Sequence, residues 1–410
     1  MNKKKMTKKK KKGTIPQSSE KTTDMPVKKK ISSTLTKIKV IGVGGGGGNA
    51  ITRMMESDRI RGVEYIAINT DAQDLDYASA HKKIYIGKAL TKGLGAGMNP
   101  EIGKQAAEEN RSEIGEALED ADIVFVTAGL GGGTGSGAGP VVADIAKEKG
   151  ILTIGIITKP FGFEGAQRMA IAQEALIKFK EKVDALVVIP NDRIFGLIDK
   201  DTSVVRAFGF IDDVLRNGVQ SLAELINMPG LINVDFADVR AILRDAGQTM
   251  VGIGIASGQD RSVKAVNAAL NSPLLEISID GARSVLFSIA GGRDIKMSEV
   301  NDIAKTVAGN LDSNARVIFG AYHDRSLKDK SLKVTVIATG FNGVFQTRMA
   351  TPTLFITDEF PKTVKIPTPP TADSKEKVSN VSEKEKAGKT QVSDNEETWE
   401  IPAFLRKKKK

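Results

Sequence analysis

From Lys37 to Thr202, short apolar runs alternate with longer segments whose apolar residues recur every three or four positions. "KIKVIGV" (37–43), "VEYIAINT" (63–70), "DIVFVTAG" (122–129), "ILTIGIIT" (151–158) and "DALVVIP" (184–190) read as strands buried on both faces, as in a parallel sheet covered on both sides. Residues 100–121, 140–150 and 166–183 have helical periodicity. Pro140 falls in the first turn of its helix and Gly150 just beyond its end. Such alternation predicts a Rossmann-like parallel-sheet domain over residues 37–202.

Beyond it, residues 203–227 form one long amphipathic pattern with no strand beside it, stopped by "MPG" (228–230). This reads as a helix connecting two domains. Residues 228–342 then mix helices (235–247, 261–271, 298–310) with strands (249–258, 282–292, 315–322, 332–341). The expected fold class is α/β: a parallel-sheet domain, a central helix, a smaller α+β domain and disordered tails. Residues 343–395 are rich in Pro, Ser, Thr, Lys and Glu and read as a largely disordered linker. "WEIPAFLR" (399–406) is an apolar island within 396–410, the pattern of a docking peptide with a basic end.

Length and composition sharpen this picture. A chain of 410 residues exceeds one core and fits two domains. The absence of cysteine excludes disulfides and thiolate metal sites and fits a reducing cytosol. His81 and His323 lie too far apart in sequence to announce a histidine metal site, and no protein metal site is expected. No apolar run reaches the roughly 18 residues of a membrane span. The net charge of +10 sits at the ends: residues 1–37 hold thirteen lysines against Glu20 and Asp24, and "RKKKK" closes the chain, leaving the rest at −6. Residues 1–36 therefore read as a disordered basic extension. That extension contains no aromatic residue, which argues against nucleic-acid binding.

Two glycine clusters carry the candidate chemistry: "GVGGGGGNA" (42–50) and "GLGGGTGSGAGP" (129–140), with "KGLGAG" (92–97) as a third wall. Each of the first two reads as a loop that follows a strand and precedes a helix, where main-chain N–H groups and the helix terminus can cradle phosphate. Gly42 and Gly47 have Walker A spacing, but Gly48 and Asn49 stand where Lys and Ser/Thr are required. Gly42, Gly44 and Gly47 satisfy a dinucleotide fingerprint, with Asp71 near the position of a ribose-binding acid, so an NAD-dependent oxidoreductase is one alternative. It leaves the second cluster without a role. The other reading wraps both clusters around one phosphate chain, with Thr134 and Ser136 adding hydroxyls. Asp235 and Asp238 stand three apart at a helix start, as caps or as paired carboxylates. Glu164 and Arg168 form an i,i+4 pair, as do Phe208 and Asp212.

"GGGTGSG" (131–137) resembles the tubulin-superfamily signature. With "GVGGGGGNA", "NTDAQ", "TKGLGAG", "KPFGFEG", "IPNDR", "PGLINVDFADVR" and "IPAFLR" in order, residues 37–341 resemble the family of the bacterial cell-division GTPase FtsZ. The resemblance implies that Gly45, Gly46, Gly47, Gly48 and Asn49, with Gly133, Thr134 and Gly135, hold the phosphates of GTP or GDP. It places Glu164 and Arg168 at the ribose, and Asn191, Phe208 and Asp212 at the guanine. It makes Asn233, Asp235 and Asp238 the group that positions the attacking water, with Mg²⁺ on the phosphates. In that family this group enters a neighbouring subunit's site, so the implied partner is a second copy, head to tail. "IPAFLR" implies docking to membrane-tethering and regulatory division proteins, in a cytoplasmic ring at midcell. A tubulin-like scaffold that binds nucleotide without hydrolysing it is the remaining alternative.

Overall fold

The computed structural model describes residues 36–341 apart from 57–59, 61, 200, 229, 273–278, 313, 325, 326 and 329. The basic segment 1–35, the 343–395 linker and the 396–410 peptide lie outside the described residues.

The first half of the chain runs β1 (Ile38–Val43), α1 (Gly44–Glu56), β2 (Val63–Asn69), α2 (Ala72–Tyr77), β3 (Lys82–Tyr85) and α3 (Lys88–Thr91). It continues through α4 (Pro100–Glu109), α5 (Arg111–Ala117), β4 (Ile123–Gly129), α6 (Gly133–Glu148), β5 (Leu152–Lys159), α7 (Ala166–Lys182) and β6 (Ala185–Pro190). These strands form a parallel sheet in the order β3-β2-β1-β4-β5-β6, closed by a seventh strand, β7 (Gly247–Gln248). Alternate residues supply two cores. Val40, Tyr65 and Phe125 pack with Ile51 and Met54 of α1. Ile41, Ile66 and Val124 pack with Ala106 of α4, Val142 of α6 and Phe179 of α7.

The long helix α8 (Val204–Asn227) begins at Ser203, whose side chain accepts from the Arg206 N–H. Its Leu215, Val219 and Leu222 join the first of those cores, together with Leu286 and Ile337 of the second domain. That domain comprises α9 (Phe236–Leu243), β8 (Met250–Ser257), α10 (Arg261–Leu270), β9 (Ser284–Gly291), α11 (Met297–Ala308), β10 (Arg316–His323) and β11 (Ser331–Thr339). Its sheet order is β10-β9-β11-β8; β9 and β10 are parallel, and β11 is antiparallel to its neighbours. A buried polar cluster pins α8 to this sheet. Glu224 accepts from the Tyr322 hydroxyl (2.8 Å) and lies 3.3 Å from Lys333 Nζ, and the Ser221 and Thr335 hydroxyls bond at 2.9 Å.

Four expectations change. The glycine clusters are not loops: Gly44–Gly48 and Gly133–Gly139 are the opening turns of α1 and α6, which puts Pro140 well inside α6. Glycine is a poor helix former by about 1 kcal/mol per residue, but here contact with other elements decides. A Cβ on Gly47 would stand 2.5 Å from the Thr127 carbonyl oxygen, and one on Gly137 would overlap the Pro100 carbonyl. The 100–121 segment is two helices, because Asn110 leaves helical geometry to accept from the Gly87 N–H and donate to Glu113. The apolar pattern marks none of α2, β3 and α3, which are short and largely exposed. Finally, β7 follows the connecting helix in sequence yet pairs with β6 of the first domain.

One feature of the second domain yields a stability prediction. Arg261 is buried, with Nε and Nη2 on the Glu299 carboxylate (2.7 and 2.9 Å) and Nη1 on Asp294 (2.6 Å). Hydrogen bonding to Arg261 holds both carboxyls below the usual range. Arg261→Ala strands Glu299, and the expected loss is about 3 kcal/mol, read as a lower urea midpoint. The pair's contribution is present above the ordinary carboxylate pKa near 4 and lost as pH falls through the depressed values. The native chain should therefore lose stability on acidification more steeply than the variant.

Candidate functional site

A cavity of about 770 Å³ opens at the carboxyl edge of the large sheet, where open α/β sheets usually hold their ligands. Gly44–Gly46 and Asn49 enter it after β1, Asn69 at the end of β2 and Asp71 after it, Gly132–Gly135 after β4, Glu164 and Arg168 after β5, and Asn191 after β6. Phe208 and Asp212, from the first half of α8, close the remaining side. Gly95–Gly97 add the third wall read from "KGLGAG".

One side is built of main chain. The amino ends of α1 and α6 both line it; the Gly132 cap of α6 makes no side-chain cap bond, and the Gly133 N–H donates to the Gly97 carbonyl at 3.0 Å. Gly44 starts α1 at φ +70°, a left-handed turn that glycine adopts without strain. A Cβ on Gly46 would come 3.2 Å from Gly129 Cα, and one on Gly135 2.6 Å from the Gly129 carbonyl oxygen. Backbone therefore lies against backbone, and the two positive helix ends face the cavity where an anion can be received. Thr134 lines this wall, its hydroxyl 2.7 Å from that of Thr70. Ser136 does not: it is buried and accepts from the Gly131 N–H. Gly47 and Gly48 also lie off the lining, Gly47 facing Thr127 and Gly48 facing Ala78.

The opposite side is aromatic and carboxylic. Phe208 is 40% exposed and meets Phe161 edge-on at 5.4 Å, which leaves ring surface for a stacking ligand. Asn191 is buried, and its Oδ1 finds no partner among the described residues, an acceptor waiting for a donor. Asp212 is pushed up to about 6 by burial, against the opposing pull of Arg53 at 3.0 Å. Glu164 and Arg168 bond at 2.6 Å, while the second Glu164 oxygen accepts from the Phe161 N–H.

Asn233, Asp235 and Asp238 lie elsewhere. All three are exposed and none lines the cavity. Asp235 occupies the cap position of α9 without a side-chain cap bond, and Asn233 Oδ1 accepts from the Gly230 N–H at 2.6 Å. Arg240 ties α9 to the carbonyl of Gly150, which precedes β5, and Gly247 bonds to Asp184, which precedes β6. The helix that follows these residues thus sits at the amino edge of the sheet. The eight-residue β5 that separates the two edges is about 25 Å long.

Two family descriptions match this chain: the Tubulin/FtsZ family GTPase domain over residues 37–199, and the FtsZ family C-terminal domain over 247–342. An empty FtsZ dimer from M. jannaschii is 47% identical, with a TM-score of 0.71, covering 75% of this chain and 89% of that one. The chain belongs to the FtsZ family. More distant likenesses at 25% identity are CetZ1 of Haloferax volcanii as a GDP-bound monomer (TM-score 0.66, 75% and 96% covered) and CetZ2 as a GTPγS-bound protofilament (0.64, 74% and 92%).

Membership of the FtsZ family makes this a tubulin-like GTPase fold and implies guanine-nucleotide binding. The cavity brings together Gly45, Gly46, Asn49, Gly133, Thr134, Gly135, Glu164, Arg168, Asn191, Phe208 and Asp212. Sequence reasoning missed Arg53, Asn69 and Asp74, which also line it. Arg53 follows Asn49 by four residues on α1, so helical spacing from a suspected phosphate residue was the available signal. Asn69 belongs to "NTDAQ", and its Nδ2 donates to Asp74 at 2.9 Å. Among the described residues, no helix is long and apolar enough to cross a membrane.

Proposed function

We propose that this FtsZ-family chain binds GTP in the glycine-walled cavity and hydrolyses it only when a second copy presents Asn233, Asp235 and Asp238 to the cavity mouth. The observation that carries this reading is the placement of two incomplete halves at opposite edges of one parallel sheet. The cavity has anion donors and a carboxylate for a base, while the exposed carboxylate pair lies a strand's length away. A contact between unlike faces repeats without closing, so such copies stack head to tail into a filament. That an FtsZ relative is found as a dimer and CetZ2 as a nucleotide-bound protofilament supports self-association of such chains.

In this reading the amides of α1 and α6 hold the phosphates, Glu164 and Arg168 meet the ribose, and Phe208 stacks on guanine. Asn191 and Asp212 accept its N–H groups. Asp235 and Asp238, with Asn233, orient the attacking water and take its proton as the bond between the γ-phosphorus and the bridging oxygen breaks. Mg²⁺ favours oxygen ligands and would be held chiefly by the phosphates, with Asp71 and Asp74, beside Gly95 and Gly45, as cavity carboxylates that could join it. The filament would scaffold a division ring under the membrane, tethered through Ile401, Phe404 and Leu405 of the terminal peptide.

The test is phosphate release from GTP at several protein concentrations with Mg²⁺, recorded together with light scattering. The expected rate per molecule rises from near zero above a threshold, in step with scattering. A rate per molecule independent of concentration overturns the shared site, and scattering without phosphate release makes the chain a non-hydrolysing scaffold.

A further inference from the structure

Among the described residues, Arg53 is ion-paired with Asp212. It arrives from α1, its Nε 3.0 Å from Asp212 Oδ2, and both side chains line the cavity. Gly209 explains how it fits. This residue lies in the interior of a 24-residue helix, where glycine is unfavourable, and a Cβ there would stand 3.1 Å from Arg53 Nη1. The guanidinium therefore lies across bare backbone one turn before the carboxylate it holds. With Asp212 only 15% exposed and Arg53 37%, the pair is shielded from water on the helix side and open toward the cavity.

We infer that Arg53, seated over Gly209, is a positioning residue for base selection: it fixes the Asp212 carboxylate in the anionic form that accepts both the ring N–H and the amino group of guanine. This rests on the guanine reading given above. A carboxyl that carried a proton would offer guanine a donor where an acceptor is needed. Burial pushes Asp212 toward that neutral form, and the neighbouring Asp213 pushes the same way; Arg53 opposes both. The other charged groups of the cavity are Asp71, Asp74, Glu164 and Arg168, and Arg168 is committed to Glu164.

The direction of the pH effect follows. The ionised carboxylate binds guanine, so affinity falls as pH drops through the value of Asp212, about 6 in the native chain. Without Arg53 that midpoint moves up by about one to two pH units. GDP binding to the full chain, followed by titration calorimetry from pH 5.5 to 8.5, reads it. Arg53→Gln is expected to weaken GDP about two- to tenfold at pH 7, with recovery by pH 8.5. Arg53→Lys keeps the charge and should keep a midpoint near the native one. Asp212→Asn, which exchanges an acceptor for a donor, should shift preference from GDP to xanthosine diphosphate, whose ring carries a carbonyl in place of the amino group. If Asp212→Asn changes the preference but Arg53→Gln leaves affinity and midpoint unchanged, the role of Arg53 is overturned. An Arg53→Gln loss equal at every pH overturns it too, marking a packing role. If Asp212→Asn leaves base preference unaltered, the guanine assignment itself falls, and this inference with it.

Discussion

With Asp238 replaced by alanine, GTP should bind as it does to the native chain while phosphate release falls by about 100-fold or more. Binding survives because Asp238 is exposed, lies outside the cavity, and makes no side-chain hydrogen bond or ion pair among the described residues. The fold loses little: a carboxylate in the first turn of α9 is worth about 0.5 kcal/mol through the helix dipole. Turnover collapses because positioning and proton acceptance at the attacking water leave with the side chain. Mixing sharpens the test. Asp212→Ala damages the cavity and spares α9, so a 1:1 mixture with Asp238→Ala pairs some intact cavities with intact helices. Random head-to-tail pairing gives such contacts at about one interface in four, and the mixture should hydrolyse GTP when neither variant does alone. A mixture as inactive as its parts would remove the shared site from consideration.

Gly137→Ala should cost the fold about 3 kcal/mol and abolish nucleotide binding with it. Helices α4 and α6 cross with backbone against backbone. A Cβ on Gly137 would overlap the Pro100 carbonyl and come 2.7 Å from the Lys104 nitrogen, and one on Gly103 would come 2.5 Å from the Gly133 carbonyl oxygen. These obstacles are backbone, so no rotamer change relieves the overlap, and the helices must separate. The amino end of α6 is the main-chain wall of the cavity, so the displacement reaches the ligand. Gly132→Ala is the control for folding: nothing lies within 4 Å of a Cβ there, and its φ is −93°. Thermal unfolding and GDP binding measured on both variants decide the matter. Equal unfolding midpoints for the two would sink the account of the α4–α6 crossing.

Much of this was legible in the chain itself. Short continuous apolar runs located β1, β2, β4, β5 and β6, and a period-3.6 apolar pattern located α8, to within a few residues, because each pattern records how a segment buries its own side chains. The two glycine clusters also marked where the cavity wall lies, since bare main chain after a strand and before a helix is what an anion site requires. Local pattern says which face is buried but not what covers it. The neighbours that make Gly47 and Gly137 necessary, Thr127 and Pro100, lie far away along the chain, so the sequence shows flexible loops where the packing demands helices. The transfer of Gly247–Gln248 to the large sheet and the seating of Arg53 over Gly209 are likewise contacts without a local signature. Sidedness is the largest such decision. Residue order alone lists the glycines and the carboxylates along one line. Parallel strands send every carboxyl end to one edge, where the cavity opens, and the contact of α9 with Gly150 at the amino edge puts Asp235 and Asp238 on the opposite side.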